Sequence, residues 1–288
     1  MALDKNWFVE VAPEAGFAQA LKIRGKLHEE QTPYQKLEIF ETEDWGNLMT
    51  LDGLVMLTAR DNFVYHEMMS HPPVMTHPAP RRVAIVGGGD CGTLREVLRH
   101  PAIEKVFQIE IDEAVTRAAE RYFPELTEAN DDPRAELLFS DAIEWMKRQE
   151  PGSLDVVIVD STDPVGPAVG LFQRAFYADC LRALGKTGVL VQQSESPLLH
   201  LDILKAMRAE MKAAGFEQLR TYQFCQPTYP SGWWSATMAG IGVDLTEFRE
   251  RDARKLPFNG RYYSADMHRS SMVMPPFFEK ACSEHERK

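Results

Sequence analysis

Hydrophobic and polar residues alternate along the first part of the chain, from about residue 17 to residue 60. Four short segments carry the alternation, and Gly, Asp, Pro or Asn residues separate them: FAQALKIRG, KLEIFETE, NLMTLDG and LVMLTAR. Strict alternation is typical of strands with one buried face, and Asp52-Gly53 between two apolar runs favours a hairpin turn. No segment of this region has the spacing of a useful helix. The pattern therefore predicts a small antiparallel β-domain.

The pattern becomes helical at Asp61, a candidate N-cap, in the segment DNFVYHEMMSHPPVMTH. Pro72-Pro73 is expected to end this helix, because proline lacks the amide hydrogen that a helix interior uses. The segment PAPRR then forms a connector. We place the N-terminal β-strand domain, with its connecting helix, at residues 1–78.

From Arg82 onward, strands and helices alternate. Short apolar runs such as RVAIVG, KVFQIEID, LDVVIVD and GVLVQQS are followed by amphipathic segments such as TLREVLRH and DEAVTRAAERYFPEL. Continuous apolar strands between amphipathic helices are typical of a parallel sheet that is covered on both faces. Residues 79–288 are therefore predicted to form a doubly wound α/β domain.

Composition narrows the class of function. The 288 residues are 44% hydrophobic and 26% charged, as in a soluble globular protein, and they carry a formal net charge of −11. This excess of acidic residues disfavours nucleic acid as a partner, because its phosphates would be repelled. No apolar run reaches the ~18–20 residues that would span a bilayer, and the N-terminus lacks the features of a signal peptide. We expect a cytoplasmic protein without membrane contact.

The four cysteines indicate neither disulfides nor a metal site. Cys91, Cys180, Cys225 and Cys282 stand far apart, and no Cys/His cluster has the spacing of a zinc site. We expect four reduced thiols.

A glycine-rich turn, Gly87-Gly88-Gly89-Asp90-Cys91-Gly92, lies between a predicted strand and a predicted helix. Glycines there let the backbone approach a ligand closely. Glu110 ends the next strand, 20 residues after Asp90, at the spacing where a carboxylate binds ribose hydroxyls. Asp141 ends the third strand, where it can meet an adenine edge. Together they predict a nucleoside across these strand ends.

Asp90 restricts which nucleoside fits. Two like charges at ~4 Å cost about 4 kcal/mol at an effective dielectric constant of about 20, so Asp90 would repel a pyrophosphate or the carboxylate of S-adenosylmethionine. A ligand with an ammonium group and no carboxylate suits it best. The alternative is that Asp90 only caps the following helix.

A second acidic loop follows the fourth strand of this domain, with Asp160 at the strand end and Asp163 three residues later. Carboxylates facing Asp90 across a cleft would hold ammonium groups, and one of them could accept the proton of a reacting amine. The alternative is that both residues only organise the turn.

These motifs resemble the spermidine synthase family of aminopropyltransferases. The resemblance rests on G-G-G-D-x-G, E-I-D and D-S-T-D-P-x-G-P, and it runs from about residue 30 to the C-terminus. The further matching motifs are L-D-G at 51–53, R-D-N-F-x-Y-H-E at 60–67, P-T-Y-P-S-G at 227–232 and R-Y-Y-S-A-D-x-H at 261–268.

The resemblance implies transfer of an aminopropyl group from decarboxylated S-adenosylmethionine to putrescine, which yields spermidine and methylthioadenosine. It implies a Rossmann-like methyltransferase-type domain behind a small β-domain, with the active site between them. It also implies a homodimer or homotetramer, small-molecule substrates, and no metal or redox cofactor.

The resemblance assigns roles by position. Asp160 matches the proton acceptor, Asp90 the residue that holds the aminopropyl ammonium, and Glu110 the residue that holds the ribose. The remaining nucleoside positions are Gln35, Asp141, Ala142 and Pro167. The positions along the polyamine groove are Tyr65, His66, Asp90, Asp160, Asp163, Gln193 and Tyr229.

The chain departs from the family pattern at a few positions. Cys91 replaces a glycine, so we expect a backbone conformation there that does not require glycine. Trp233-Trp234 either belong to the core or narrow the amine groove.

These departures leave the acceptor open, with cadaverine, agmatine, a triamine or spermidine as alternatives to putrescine. A methyltransferase of the same fold and a catalytically silent polyamine- or nucleoside-binding protein are the competing functions.

Overall fold

The first sheet of the protein is antiparallel and has five strands in the order β1-β2-β3-β4-β5. The structure is a computed structural model that describes residues 3–164 and 166–285. The prediction of a small antiparallel β-sheet is confirmed, although the first strand was not predicted. The strands are β1 (Trp7–Ala12), β2 (Phe17–Gln31), β3 (Lys36–Thr42), β4 (Asn47–Leu51) and β5 (Leu54–Thr58).

Helix α1 (Asn62–Thr76) follows this sheet and continues through Pro72 and Pro73, so the prediction that the prolines end the helix is wrong. A proline at position i leaves the carbonyl group of residue i−4 without its helical donor. Here the phenol of Tyr222 donates a hydrogen bond of 2.7 Å to the carbonyl oxygen of Met68, the acceptor that Pro72 leaves free. The helix persists because its neighbours supply donors to its backbone.

Asp61 occupies the N-cap position of α1, as predicted, but its side chain makes no capping hydrogen bond. Its carboxylate instead accepts hydrogen bonds from the hydroxyls of Thr58, at 2.6 Å, and Thr228, at 2.8 Å. Asp61 therefore connects the end of the small sheet with the segment that contains Thr228.

The second sheet has seven strands in the order β11-β12-β10-β9-β6-β7-β8. The pairs from β10 to β8 are parallel, whereas β12 is antiparallel to both β10 and β11, so the sheet is mixed rather than fully parallel. We did not predict β11 and β12, because Ser235, Thr237 and glycines interrupt the apolar run of β12. The strands are β6 (Arg82–Gly87), β7 (Lys105–Glu110), β8 (Ala135–Phe139), β9 (Val156–Asp160), β10 (Gly188–Gln193), β11 (Gln218–Cys225) and β12 (Trp233–Ile241).

Helices cover both faces of this sheet. Alternate strand residues face two separate cores: Ile85 and Ile158 pack with α1 and α2, whereas Val86 and Val159 pack with α5 and α6. This division is what the doubly wound architecture requires. The α-helices after α1 are α2 (Gly92–Leu98), α3 (Glu113–Tyr122), α4 (Ala142–Lys147), α5 (Arg174–Leu184), α6 (Leu201–Ala214), α7 (Glu250–Ala253), α8 (Ala265–Ser271) and α9 (Pro276–His285).

A third apolar cluster joins the two sheets. Leu37, Met49 and Leu57 of the small sheet pack against Val115 and Phe123 from the region of α3. The small sheet thereby lies over the carboxyl ends of the strands of the large sheet, where the predicted site residues are. No helix within residues 3–164 and 166–285 is both long enough and apolar enough to cross a membrane.

Candidate active site

A cavity of about 280 Å³ lies between the two sheets, at the carboxyl ends of β6, β7 and β9. The ligand crevice of open α/β sheets is found at this edge. The large sheet and its loops supply Gly87, Gly88, Gly89, Asp90, Glu110, Asp141, Ala142 and Asp160, among others. The small sheet and its turns supply Tyr34, Gln35, Met49, Leu51 and Met56.

The glycine-rich turn forms one wall because its backbone packs directly against β9. A Cβ atom on Gly87 would lie 2.2 Å from the carbonyl oxygen of Asp160, so a larger residue does not fit there. The amide of Gly88 donates to that carbonyl oxygen at 2.8 Å. The turn and Asp160 are therefore held in fixed positions relative to each other.

Cys91 has a φ of 68°, in the left-handed region, so the expectation of an undemanding backbone at this position is wrong. A residue other than glycine is rare there, and its surroundings must hold it. The Cys91 amide donates to the Gly88 carbonyl at 2.8 Å, and the side chain is buried beside Gln108. Cys91 and Cys180 are buried thiols, and Cys225 is an exposed one.

Asp90 lies where both roles that we weighed for it are possible. One carboxylate oxygen accepts a hydrogen bond of 2.7 Å from the amide of Gly92, the first residue of α2, and lies 3.0 Å from Nε2 of His66. Burial alone would raise the pKa of Asp90, but His66, the amide of Gly92 and the charge of Arg95 together outweigh burial, so the pKa is lowered. Asp90 also lines the cavity, so its negative charge is available to a cationic ligand.

His66 lies behind Asp90. It is 1% exposed and packs against Gly92, where an added Cβ atom would approach its ring to 2.2 Å. Burial lowers its pKa, but the charge of Asp90, the hydrogen bond to it and the charge of Asp160 together outweigh burial, so the pKa is raised. The structure thus places His66 where it supports Asp90 and outside the lining of the cavity.

The predicted nucleoside residues surround the other end of the cavity. Burial raises the pKa of Glu110 to about 7, and the amide of Asp112 donates to this side chain at 2.8 Å. The amide nitrogen of the Gln35 side chain donates to Asp112 at 3.0 Å, which holds Gln35 at the cavity wall.

Two further nucleoside positions belong to α4. Asp141 caps this helix by accepting from the amide of Ile143 at 2.7 Å, and Ala142 is the first helical residue. Pro167 lies in the 3-10 helix Gly166–Phe172 near this end, but its side chain is outside the part of the chain that is described.

Asp160 lies at the centre of the site with a hydrogen-bond donor on each carboxylate oxygen. The phenol of Tyr65 donates at 2.7 Å to Oδ1, and the hydroxyl of Thr93 donates at 2.6 Å to Oδ2. Burial, and then the nearby charge of Asp90, raises the pKa of Asp160. A buried carboxylate with a raised pKa is well suited to accept a proton from a reacting group.

A second, smaller cavity of about 50 Å³ continues from the first. The two share Met56, Tyr65, Ser161, Thr162 and Tyr229 as lining residues, so they meet next to Asp160. Glu10, Asp163, Gln193, Pro230 and Trp234 line the rest of the smaller cavity. Tyr229 is fixed there by a hydrogen bond of 2.6 Å from its phenol to the carbonyl oxygen of Met56.

Trp234 fits both alternatives that we considered, because it belongs to an apolar core cluster and also lines the smaller cavity, whereas Trp233 is only partly buried and lines neither cavity. Trp234 lines the smaller cavity, whereas Trp233 lies against Phe277, with ring centroids 6.1 Å apart. Trp234 therefore narrows the groove.

Two residues of the site were not identified from the sequence. Glu10 belongs to β1, which we did not predict, although the alternating segment WFVEVA carries a strand signal. Thr93 directly follows the glycine turn after β6. Its hydroxyl group reaches Asp160 at the end of β9, the strand that pairs with β6. Within the described residues, no group of at least three His, Cys, Asp or Glu side chains is arranged to hold a metal ion.

Comparison with known proteins agrees with this geometry. Residues 62–246 match the family model described as a spermine/spermidine synthase domain, and residues 6–59 match that of a spermidine synthase tetramerisation domain. A polyamine aminopropyltransferase of Nitrosococcus oceani is 59% identical over 97% of this chain and 98% of its own length. One of Methylococcus capsulatus is 60% identical over 97% and 98%.

Solved structures show the same fold. A spermidine synthase in complex with the transition-state analogue AdoDATO superimposes with a TM-score of 0.93 at 35% identity, covering 99% of this chain and 97% of that one. The spermidine synthase of Thermotoga maritima gives 0.91 at 35% identity, covering 96% and 94%. The chain belongs to the spermine/spermidine synthase family and is an aminopropyltransferase of polyamine biosynthesis.

Proposed function

We propose that the protein transfers the aminopropyl group of decarboxylated S-adenosylmethionine to putrescine and releases spermidine and methylthioadenosine. The observation that supports this most is the pair of connected cavities that meet beside Asp160. The larger one has the shape and polar groups for a nucleoside with an ammonium arm, and the smaller one has carboxyl groups for an amine.

The donor substrate is proposed to occupy the larger cavity. Glu110 accepts hydrogen bonds from the ribose, Asp141 and Ala142 contact the adenine, and Gln35 closes the nucleoside from the side of the small sheet. Asp90 pairs with the aminopropyl ammonium. A donor that still carried its carboxylate would place a second negative charge against Asp90 in a low-dielectric site, which is costly.

Asp160 is proposed as the proton acceptor. An amine attacks only as the neutral base, so the attacking nitrogen must give up a proton before or during attack. The nitrogen forms a bond to the methylene carbon that carries the sulfur, the carbon–sulfur bond breaks, and its electron pair goes to sulfur. The proton goes to Asp160. The sulfonium is already a good leaving group, so positioning and deprotonation carry the catalysis.

The acceptor is proposed to extend from Asp160 into the smaller cavity. Asp163 and Glu10 line it and offer negative charge to the far ammonium group, while Trp234 and Pro230 limit its size. A short diamine such as putrescine fits these limits better than a triamine. Tyr65, Gln193 and Tyr229 line its length, and His66 acts through Asp90.

The assembly is proposed to be a homodimer or homotetramer formed through the small sheet. Strand β1 lies at the edge of that sheet, and its Val9 and Val11 are exposed. We further propose that the enzyme acts in the cytoplasm and needs neither a metal nor a redox cofactor.

An amine scan tests the proposed function. The purified protein is incubated with decarboxylated S-adenosylmethionine and, in turn, putrescine, cadaverine, agmatine or spermidine, with S-adenosylmethionine as the control donor. We expect spermidine and methylthioadenosine from putrescine at the highest kcat/KM. A higher kcat/KM with another amine would overturn the choice of acceptor, and nucleoside binding without methylthioadenosine release would indicate a silent binding protein.

A further inference from the structure

The second acid of the E-I-D segment has no role in the proposed mechanism. Asp112 follows Glu110 by two residues, is 3% exposed and lines neither of the two connected cavities. A carboxylate in such a buried position requires hydrogen-bond donors, because burial without them is costly. The groups that donate to Asp112 come from both sheets, and they belong to the nucleoside end of the site.

Two of these donors come from the turn between β2 and β3, residues 32–35. The hydroxyl of Thr32 donates to Oδ2 of Asp112 at 2.8 Å, and the side-chain amide of Gln35 donates to the same oxygen at 3.0 Å. Within the turn, the Thr32 hydroxyl oxygen lies 3.1 Å from the carbonyl oxygen of Gln35 and accepts from the amide of Tyr34 at 3.1 Å. One hydroxyl group therefore shapes the turn and also attaches it to Asp112.

The other hydrogen bonds of Asp112 belong to the large sheet and to the helix after β7. Its amide donates to Oε1 of Glu110 at 2.8 Å. Its Oδ1 accepts from the amide of Ala114 at 3.2 Å, which makes Asp112 the N-cap of α3. Gln35 and Glu110 both line the larger cavity, one from each sheet. Asp112 thus makes hydrogen bonds to a group on each side of the proposed nucleoside site.

We propose that Asp112 is a positioning residue that holds the β2–β3 turn against the ribose-binding end of the large sheet and thereby sets the affinity for the nucleoside. The inference rests on the proposed function, because it requires a nucleoside between Gln35 and Glu110. Both groups are held at the cavity before the nucleoside arrives, so binding has to order fewer side chains. Asp160 makes no hydrogen bond to this network, so the network should act on nucleoside binding and leave the chemical step unchanged.

A second polar contact between the small sheet and α3 provides a matched control. The side-chain amide of Asn47, on β4, donates to the carbonyl oxygen of Tyr122, the last residue of α3, at 2.9 Å. Neither residue lines either of the two cavities. Asn47→Ala therefore removes a hydrogen bond between the same two parts of the molecule, but it leaves the β2–β3 turn and its contact with Asp112 in place.

Two substitutions of Thr32 test the proposal, because they change the hydroxyl group and the shape of this side chain separately. Thr32→Val keeps the shape and removes the hydroxyl group, whereas Thr32→Ser keeps the hydroxyl group. Methylthioadenosine is titrated into each protein in a calorimeter. We expect its Kd to rise about tenfold in Thr32→Val, because a hydrogen bond to a charged group is lost, and to change less than about twofold in Thr32→Ser. Equal affinities of the two variants would overturn the proposal.

Steady-state kinetics separate positioning from a general loosening of the two sheets. In Thr32→Val, the KM of decarboxylated S-adenosylmethionine should rise about tenfold, whereas kcat and the KM of putrescine should change less than about twofold. Asn47→Ala should leave all three constants within about twofold of those of the unmodified protein. A donor KM that rises as much in Asn47→Ala as in Thr32→Val would show that any weakening between the sheets has this effect, which would contradict the role of Asp112.

The variant Asp112→Ser tests the carboxylate itself. A serine can still cap α3 through its hydroxyl group, but it is too short to reach the turn as well. The Kd of methylthioadenosine should rise at least about tenfold, and adding Thr32→Val should cause no further loss, because both substitutions break the same contact. Additive losses would mean that Thr32 acts through its own turn alone, and the inference would be wrong. If Asp112→Ser does not fold, the two Thr32 variants decide alone.

The same measurements distinguish failure of this inference from failure of the proposed function. Absence of methylthioadenosine release from putrescine and the donor by the unmodified protein would count against the proposed function. Absence of methylthioadenosine binding by the unmodified protein would overturn both. If only the inference is wrong, the unmodified protein turns over putrescine, and Thr32→Val binds the nucleoside as tightly as Thr32→Ser does.

Discussion

Asp160 shows how the fold prepares a single side chain for proton transfer. Tyr65 from α1 and Thr93 from α2 donate to its two oxygens, and the glycine turn packs against its backbone. Burial and the nearby charge of Asp90 raise its pKa, while the hydrogen bonds from Thr93 and Tyr65 oppose that rise. The residue therefore has a fixed orientation and a basicity set by several elements at once.

Replacing this carboxylate tests its role. Asp160→Asn keeps the size of the side chain but removes its ability to accept a proton, so we expect kcat to fall by about 10²–10⁴-fold. Steady-state rates with saturating donor and putrescine measure the change, and circular dichroism checks the fold. Asp131→Asn, at an exposed position, is the control. Turnover within a few-fold of the unmodified protein would remove Asp160 as the proton acceptor.

Thr93 should set the pH at which that acceptor works. Thr93→Val removes a hydrogen bond of 2.6 Å that lowers the pKa of Asp160, so the pKa should rise. Because the base must be ionised, we expect the acidic limb of the kcat profile to move to higher pH by about one unit, with the plateau largely retained. Thr127→Val, on the surface, should leave the profile in place. An unchanged limb would mean that Thr93 does not tune Asp160.

Helix α1 is stabilised by a hydrogen bond from outside the helix, which Tyr222 donates to its backbone. Tyr222→Phe removes the donor for the Met68 carbonyl oxygen that Pro72 leaves free. An unsatisfied buried carbonyl group costs about 1–3 kcal/mol, so the free energy of unfolding should fall by that amount. Urea unfolding measures it. Tyr122→Phe is the control, because its phenol makes only a long bond of 3.4 Å at the surface. Equal stabilities of the two variants would contradict this account of the helix.

The sequence predicts correctly those elements whose local hydrophobic pattern matches the way in which they are buried in the fold. The alternating strands of the small sheet and the apolar strands β6, β7, β9 and β10 are confirmed. The end of α1 was wrong because Tyr222, 150 residues or more away along the chain, supplies a donor that no local pattern reveals. Strand β12 was missed because an antiparallel strand needs no helix before it, and because Ser235, Thr237 and Gly240 interrupt its apolar run.

The site residues that could be predicted from the sequence are those that lie at the ends of strands. Asp90, Glu110, Asp141 and Asp160 follow strands that meet at one edge, and the structure brings all of them to one cavity. The partners of these groups could not be predicted in the same way. Gln193, which lines the smaller cavity, accepts a hydrogen bond from the amide of Glu195. Glu195 has a left-handed backbone conformation, and such a conformation leaves no periodic signal in the sequence.

For the whole molecule, the site has an energetic cost, because it gathers buried carboxyl groups whose negative charge would oppose folding. Burial raises the pKa of Glu110 to about 7 and that of Asp163 to about 9, which means that the folded protein holds protons that the unfolded chain would release. The free energy of unfolding falls with pH wherever the folded state binds more protons than the unfolded state. Without a bound substrate, the enzyme therefore has a lower free energy of unfolding because its site contains buried carboxyl groups that suit a cation.

This trade predicts that Asp163→Asn stabilises the empty protein while it weakens acceptor binding. The contribution of Asp163 is favourable at low pH and is lost as the pH rises from the unfolded pKa of about 3.9 towards about 9. The gain in free energy of unfolding from the variant should thus be smallest near pH 5 and grow by up to about 1.4 kcal/mol for each pH unit towards pH 8. Thermal unfolding of both proteins across this range measures it, with Asp131→Asn as the control. A gain that does not grow with pH would show that Asp163 is ionised in the empty site. Burial of this carboxyl group would then not be what lowers the stability of the empty protein.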